Sequence, residues 1–198
     1  MNGKKIIFKF LKMRAKKLSR SKTVAVESAL QFIGKSGVVE PYDFIKVDKF
    51  HSSRKTIQVF ILSHMHEDHL GGLTRGDYNA PDTEWSHGSI YCSEITYRLM
   101  LLRFPNLKPF MIPLEFNKDY TIESVTVRLI DANHCPGAAM ILIKGSKGTV
   151  LHTGDFRYNG SKMIQDIGLS KIDYLYLDNT FSTPTEDFPA QSEAVHVR

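Results

Sequence analysis

Three histidines and an aspartate fall within six positions of the segment Ser63-His64-Met65-His66-Glu67-Asp68-His69-Leu70-Gly71-Gly72. Imidazole and carboxylate together suit Zn²⁺, with Mn²⁺ or Fe as further occupants. Alternate residues of an extended chain point the same way, so His64 and His66 can grip one divalent ion, while Asp68 and His69, beyond a turn, can face a second. With 8 histidines in 198 residues, the pattern His-x-His-x-Asp-His arises by chance in roughly one such sequence in a thousand, which makes an adventitious His-rich loop the weaker reading. Gly71 and Gly72 let the chain fold sharply away from the site.

Two further segments offer ligands where a strand would deliver them. Asp131-Ala-Asn-His134-Cys-Pro-Gly137 follows the run Val125–Ile130, and Thr153-Gly-Asp155-Phe-Arg157 follows a strand candidate ending at His152. Alone, His134 reads as a structural histidine and Asp155 as a turn residue. Three ligand-bearing strand ends in one chain read instead as one site assembled from loops on a scaffold. His152 reads as strand-borne and outside the ligand set. Cys135, before Pro-Gly-Ala-Ala, reads as a small residue in a tight turn. His51, His87 and His196 have no ligand-like context.

The elements that must carry these loops are short and β-type: Phe44–Val47, Gln58–Leu62, Ser89–Tyr91, Pro109–Leu114, Val125–Ile130, Ala139–Ile143, Thr149–His152 and Tyr174–Leu177. Val125–Ile130 alternates as a strand with one buried face does, and Gly145-Ser-Lys-Gly148 spaces a hairpin. The segment 93–102 reads as a helix capped by Ser93, and 23–33 as a short helix stopped by Gly34. Hairpin-linked strands with a few helices predict an α/β sandwich of mixed sheets. A hydrophobic share of 42% supports a packed core, and two cysteines exclude a disulfide scaffold. The longest clean apolar run, Ala138–Ile143, is far short of the ~20 residues of a membrane helix.

The net charge of +5 is unevenly placed. Residues 1–22 hold nine basic side chains and no acidic one, whereas residues 23–198 carry 17 basic and 21 acidic groups. The basic head reads as a solvated tail, an organelle address or a nuclear or phosphate-binding arm. The part that carries the ligands is acidic, so its net charge gives no argument for nucleic-acid binding.

Together these segments resemble the metallo-β-lactamase fold. Asp48 in Lys46-Val-Asp-Lys-Phe50 stands at its first motif, His64, His66, Asp68 and His69 at the second, His134 at the third and Asp155 at the fourth. The phrases Phe60-Ile-Leu-Ser-His-Met-His-Glu-Asp-His69, Asp131-Ala-Asn-His-Cys-Pro-Gly137, Thr153-Gly-Asp-Phe-Arg157 and Leu175-Tyr-Leu-Asp-Asn-Thr180 are similar to the DNA cross-link-repair nucleases of the β-CASP branch, the Artemis and Apollo group, and most like its Apollo members. The resemblance runs from about Tyr42 to Ala194. It implies an αββα sandwich whose N-terminal half is residues 42–185. Residues 1–41 would be a basic extension, partly disordered or a short helix, and residues 186–198 would open the β-CASP region, with the insert and closing half lying beyond Arg198.

The resemblance also implies two divalent ions, most simply Zn²⁺ (Mn²⁺ or Fe as alternatives). His64, His66 and His134 would hold the first, Asp68 and His69 the second, with Asp155 bridging and Asp48 orienting the histidine rings. Asp68 and Asp155 would carry the chemistry, Asp178 would be the first acidic motif of the β-CASP branch, and Arg157 would contact phosphate. The implied activity is a 5′→3′ DNA exonuclease, or endonuclease, acting on 5′-phosphate ends in cross-link, double-strand-break or telomere-end repair. Repair or telomere proteins are the implied partners and the nucleus the implied site, with the mitochondrion as the alternative that the basic head allows. An RNA-processing β-CASP nuclease, a small-molecule metallo-hydrolase and an inactive metal-binding remnant are the competing readings.

Overall fold

The computed structural model describes residues 37–51, 59–73, 85–168 and 171–180. The basic head, the candidate helix over 23–33 and residues 186–198 lie outside them.

Ten strands form two five-stranded sheets. The first has the order β1 (Val38–Val39), β2 (Tyr42–Val47), β3 (Val59–Ile61), β4 (Ser89–Ser93), β5 (Met111–Leu114); β1 is antiparallel to β2 and the other neighbours are parallel. The second has the order β10 (Tyr174–Tyr176), β9 (Gly148–His152), β8 (Ala139–Gly145), β7 (Val125–Asp131), β6 (Asp119–Ile122). Here β6 to β9 form an antiparallel meander and β10 adds in parallel. Helix α1 (Glu94–Arg103) covers the outer face of the first sheet and α2 (Ser161–Ile167) that of the second. The architecture is the expected αββα sandwich.

Burial follows the layers. Ile45, Val47, Val59 and Ile61 from the first sheet meet Val127, Leu129, Ile141, Ile143 and Val150 from the second. Phe60, Leu62 and Ile90 turn the other way, toward Met100 and Phe104 at α1. Met140, Leu142 and Leu151 face Met163 and Ile167 of α2. β7 shows the inside–outside alternation expected of it, with Val125, Val127 and Leu129 buried between half-buried Thr126 and Arg128. β3 shows none, because both its faces are covered. Hairpins are confined to the second sheet. Parallel neighbours in the first need long crossovers, and α1 is the crossover from β4 to β5. No described helix is long and apolar enough to cross a membrane.

The sheet directions concentrate the ligand loops. β2 and β3 run in parallel, so Asp48 and the segment 62–69 leave from the same edge. In the second sheet β7 and β9 are both antiparallel to β8, so the loops beginning at Ala132 and Thr153 leave from one edge as well. The amide of Ala139 donates to the Ser63 carbonyl at 2.9 Å and brings the two edges together.

Candidate metal centre

After β3 the chain stays extended through His66 (φ −75°, ψ 148°) and closes one turn of 3-10 helix over Glu67–His69. His64 and His66 therefore lie on one side, with ring centroids 4.5 Å apart, and the turn brings the His69 ring to 4.2 Å from that of His64. At the end of the segment Gly72 lies at φ +96°, where a Cβ would collide with the backbone of Phe50 and His51. A side chain there would push the ligand loop off the β2 exit.

Beneath the rings is Asp48, buried at 7% exposure. Its carboxylate accepts from the Ser63 amide at 2.7 Å, the Ser63 hydroxyl at 2.6 Å and His69 Nδ1 at 2.8 Å. These contacts fix the proton positions. An ionised carboxylate only accepts, so the Ser63 hydroxyl spends its hydrogen on Asp48. The 2.9 Å contact between Ser63 Oγ and His64 Nδ1 must then have the ring nitrogen as donor. Both His64 and His69 are left with a bare Nε2 lone pair facing outward. Burial works to raise the Asp48 carboxyl, but the hydrogen bond and charge of His69, with His152 and Ser63, hold it below the usual range. Burial likewise opposes the His69 imidazolium, yet Asp48, Asp155 and Asp68 raise it. Burial and the His69 charge push His64 down to about 4, so it is neutral at pH 7.

His64 Nε2 is fully buried and has no hydrogen-bond partner. A buried, bare imidazole lone pair costs free energy unless something fills it. Around it stand His66 and His134, whose facing nitrogens (Nδ1 and Nε2) are 3.2 Å apart. Asp155 divides its oxygens between two sides: Oδ2 lies 3.9 Å from His64 Nε2 and 3.7 Å from His134 Nε2, and Oδ1 lies 3.4 Å from His69 Nε2. The largely exposed Asp68 carboxylate is 3.4 Å from the same His69 nitrogen. Two sets of ligand atoms fall within 4.8 Å of one another, His64–His66–His134–Cys135 and His64–His69–Asp155. Neutral imidazoles, carboxylates and an orphaned buried nitrogen are the donor chemistry of a divalent-metal centre, and these residues fit one.

The third-motif loop is held at both ends. Asp131 Oδ1 accepts from the Asn133 amide, and Asn133 takes φ +53°. The hydroxyls of Ser93 and Thr96 both donate to the Gly137 carbonyl, at 2.7 and 3.0 Å. Ser93 also caps α1, accepting from the Thr96 amide as expected of it. This tie from α1 to the His134 loop has no signal in the sequence, because its partners are 41 and 44 positions apart. The Ser63 hydroxyl relay was equally hidden inside the motif.

The other candidates sit around this group. His152 ends β9, stacks on Tyr176 at 5.4 Å and accepts from the Gly154 amide. Asp178 follows β10; its amide donates to Thr153 Oγ1, beside the Asp155 loop, while its carboxylate accepts from the amide and hydroxyl of Thr180. Arg157 is exposed, and its backbone ties the Asp155 loop to that of His134 through Ala132 and Asn133. Cys135, expected simply as a small turn residue, is half-buried, with its sulfur among the three histidines. His51 and His87 are exposed and outside both ligand sets.

Residues 40–189 match the metallo-beta-lactamase superfamily. The 5' exonuclease Apollo of Danio rerio is 43% identical over 148 residues, 70% of this chain and 24% of its own. The 5' exonuclease Apollo of Gallus gallus is 43% identical over 164 residues, 80% of this chain and 34% of its own. The DNA cross-link repair protein SNM1 of Arabidopsis thaliana is 42% identical over 140 residues, 69% of this chain and 27% of its own. The chain thus spans about a quarter to a third of the length of these curated relatives.

Proposed function

Because the chain belongs to the metallo-beta-lactamase superfamily, we propose that it is the metal-binding part of a DNA nuclease that removes nucleotides 5′→3′ from 5′-phosphate ends. The observation that carries this reading is the division of the Asp155 oxygens, one toward His64 and His134 and one toward His69. A carboxylate so placed serves two adjacent cation positions, the arrangement used to hydrolyse phosphodiesters. The names of the relatives, 5' exonuclease and DNA cross-link repair protein, support DNA as the substrate class and the nucleus as the place of action, with repair or telomere proteins as partners.

His64, His66 and His134 would hold one divalent ion and Asp68 and His69 the other, with Asp155 shared. Bound ions, most simply Zn²⁺, supply Lewis-acid charge for the phosphate and a more acidic water. The chain's own residues do the rest. Asp48 keeps the proton of His69 on Nδ1 and, through Ser63, that of His64 on Nδ1, so both rings stay turned toward the site. His66, Asp68 and His134 are exposed, which leaves the centre open to the end of a polymer. Arg157, two positions after Asp155 on the same rim, is placed to meet a phosphate of the bound strand.

The test is a 3′-labelled single strand offered with a 5′-phosphate or a 5′-hydroxyl, in the presence of Zn²⁺. Stepwise loss from the phosphorylated 5′ end, abolished by joint Asp68→Ala and His69→Ala replacement, supports the reading. Equal or faster loss of RNA, turnover of a lactam or thioester in place of DNA, or no cleavage at all would each overturn it.

A further inference from the structure

We propose that Cys135 is a metal ligand, completing the His64–His66–His134 set with a thiolate. The inference rests on the metal-centre reading above and goes beyond it by adding a soft donor. Two independent observations carry it. The Cys135 sulfur lies within 4.8 Å of a ring nitrogen from each of the three histidines. His64 Nε2, one of the nitrogens around that position, is fully buried with no hydrogen-bond partner.

Successive residues of regular structure point apart, but His134 and Cys135 lie in a bend between β7 and β8. That bend is a fixed object. The Ala138 amide donates to the Cys135 carbonyl at 3.0 Å, the Ala132 amide donates to the Ala138 carbonyl, and Gly137 is clamped by Ser93 and Thr96. The sulfur is therefore presented by a loop with little freedom left to lose, which favours coordination. Zinc bonds of about 2.0–2.1 Å to nitrogen and 2.3 Å to sulfur put tetrahedral donors roughly 3.3–3.6 Å apart. His66 and His134 already meet that spacing at 3.2 Å, and closing the remaining separations takes about 1 Å of side-chain movement. A carboxylate and histidine centre is hard enough for Mn²⁺, whereas one thiolate biases it toward Zn²⁺. The other cysteine, Cys92, is buried in the α1 layer and belongs to neither ligand set.

Cobalt(II) titrated into the metal-free chain tests this directly, because thiolate-to-cobalt charge transfer gives a near-ultraviolet band distinct from the visible ligand-field bands. Expected is a charge-transfer band that is retained in Cys92→Ala and lost in Cys135→Ser and Cys135→Ala. Affinity for Zn²⁺ would fall roughly tenfold, the scale on which a single supporting group acts, and affinity for Mn²⁺ would hardly change. Ligand-field bands without charge transfer in the wild type would overturn the thiolate and leave the metal centre standing. No cobalt bands at all would overturn both. A second measurement needs no variant: saturating Zn²⁺ should slow alkylation of Cys135, mapped by mass spectrometry. An unchanged alkylation rate refutes the proposal.

Discussion

Asp48 Oδ2 lies 2.8 Å from Nδ1 of His69, although the two residues are 21 positions apart. The same oxygen takes the Ser63 hydroxyl at 2.6 Å, and through it governs His64. One buried carboxylate thus sets the tautomer of a ring in each ligand set. Asp48→Asn keeps the size but turns an amide donor toward one of these donors. The expected result is a loss of Zn²⁺ affinity of about 10–100-fold and of roughly 2–3 kcal/mol in stability, measured by calorimetric titration and by urea unfolding of the metal-free chain.

Gly137 provides a test of the α1 clamp. It sits at φ +83°, and an added Cβ would lie 2.7 Å from Thr96 Oγ1 and 2.8 Å from the Thr96 amide. Gly137→Ala should cost about 2–4 kcal/mol, because both backbone strain and overlap oppose it. Thr96→Val removes one of the two hydroxyls on the Gly137 carbonyl while keeping the side-chain shape. Its cost should be about 1 kcal/mol, with weaker metal binding through His134. Equal metal affinity in Thr96→Val and wild type would show that the clamp serves folding alone.

His152 gives a pH dependence of defined sign. Burial pushes its imidazole down to about 4 from an ordinary 6.5. The unfolded chain therefore takes up a proton that the folded chain refuses. Stability is fully present above pH 6.5 and falls as the pH drops toward 4, by about 1.4 kcal/mol per unit at most and on the order of 3 kcal/mol in all. His64, also near 4, acts in the same sense. His69 is raised and acts oppositely, its contribution complete below pH 6.5 and lost as the pH rises through its folded value. The difference between wild type and His152→Gln in urea midpoints at pH 7.0, 5.5 and 4.5 isolates His152, and should shrink steadily toward low pH.

Phe60 anchors the strand that carries the second motif. It is fully buried, with ring centroids 4.8 Å from Trp85 and 5.9 Å from Phe50. Phe60→Ala should cost about 3–5 kcal/mol. Trp85 is the single tryptophan, so its fluorescence reports the loss without a label: the unfolding midpoint should move down, and the native emission should redden as water reaches the cavity.

The sequence made the metal centre legible because its ligands are runs of uncommon residues at strand ends, and histidine pairs at i, i+2 have few other uses. Val125–Asp131 and Ala139–Gly145 were legible because alternation or a solid apolar run survives in the residues themselves. What could not be read depends on partners distant in sequence. The two-residue β1 and the polar β6 (Asp-Tyr-Thr-Ile) exist through pairing with β2 and β7, and neither has a strong local pattern. Helix α2 starts after Gly160 with no side-chain cap, and it is held by packing Met163 and Ile167 on the second sheet. The Ser93–Gly137 bond and the Asp48–Ser63–His64 relay follow from tertiary contact. Cys135 was misplaced for a related reason: a cysteine before Pro-Gly looks like filler until the loop's curvature is known.

The ligands come from opposite halves of the sandwich, and this orders events in time. His64, His66, Asp68 and His69 leave the ribosome almost together, whereas Asp155 follows 86 positions after His69. Bringing it back closes a loop whose entropy cost is about 4 kcal/mol by chain-length scaling. A nascent chain therefore offers passing cations only a weak local cluster and releases them easily. Tight capture waits until the Ala139–Ser63 hydrogen bond has joined the sheet edges, so a retained ion marks a molecule whose two halves have docked in register.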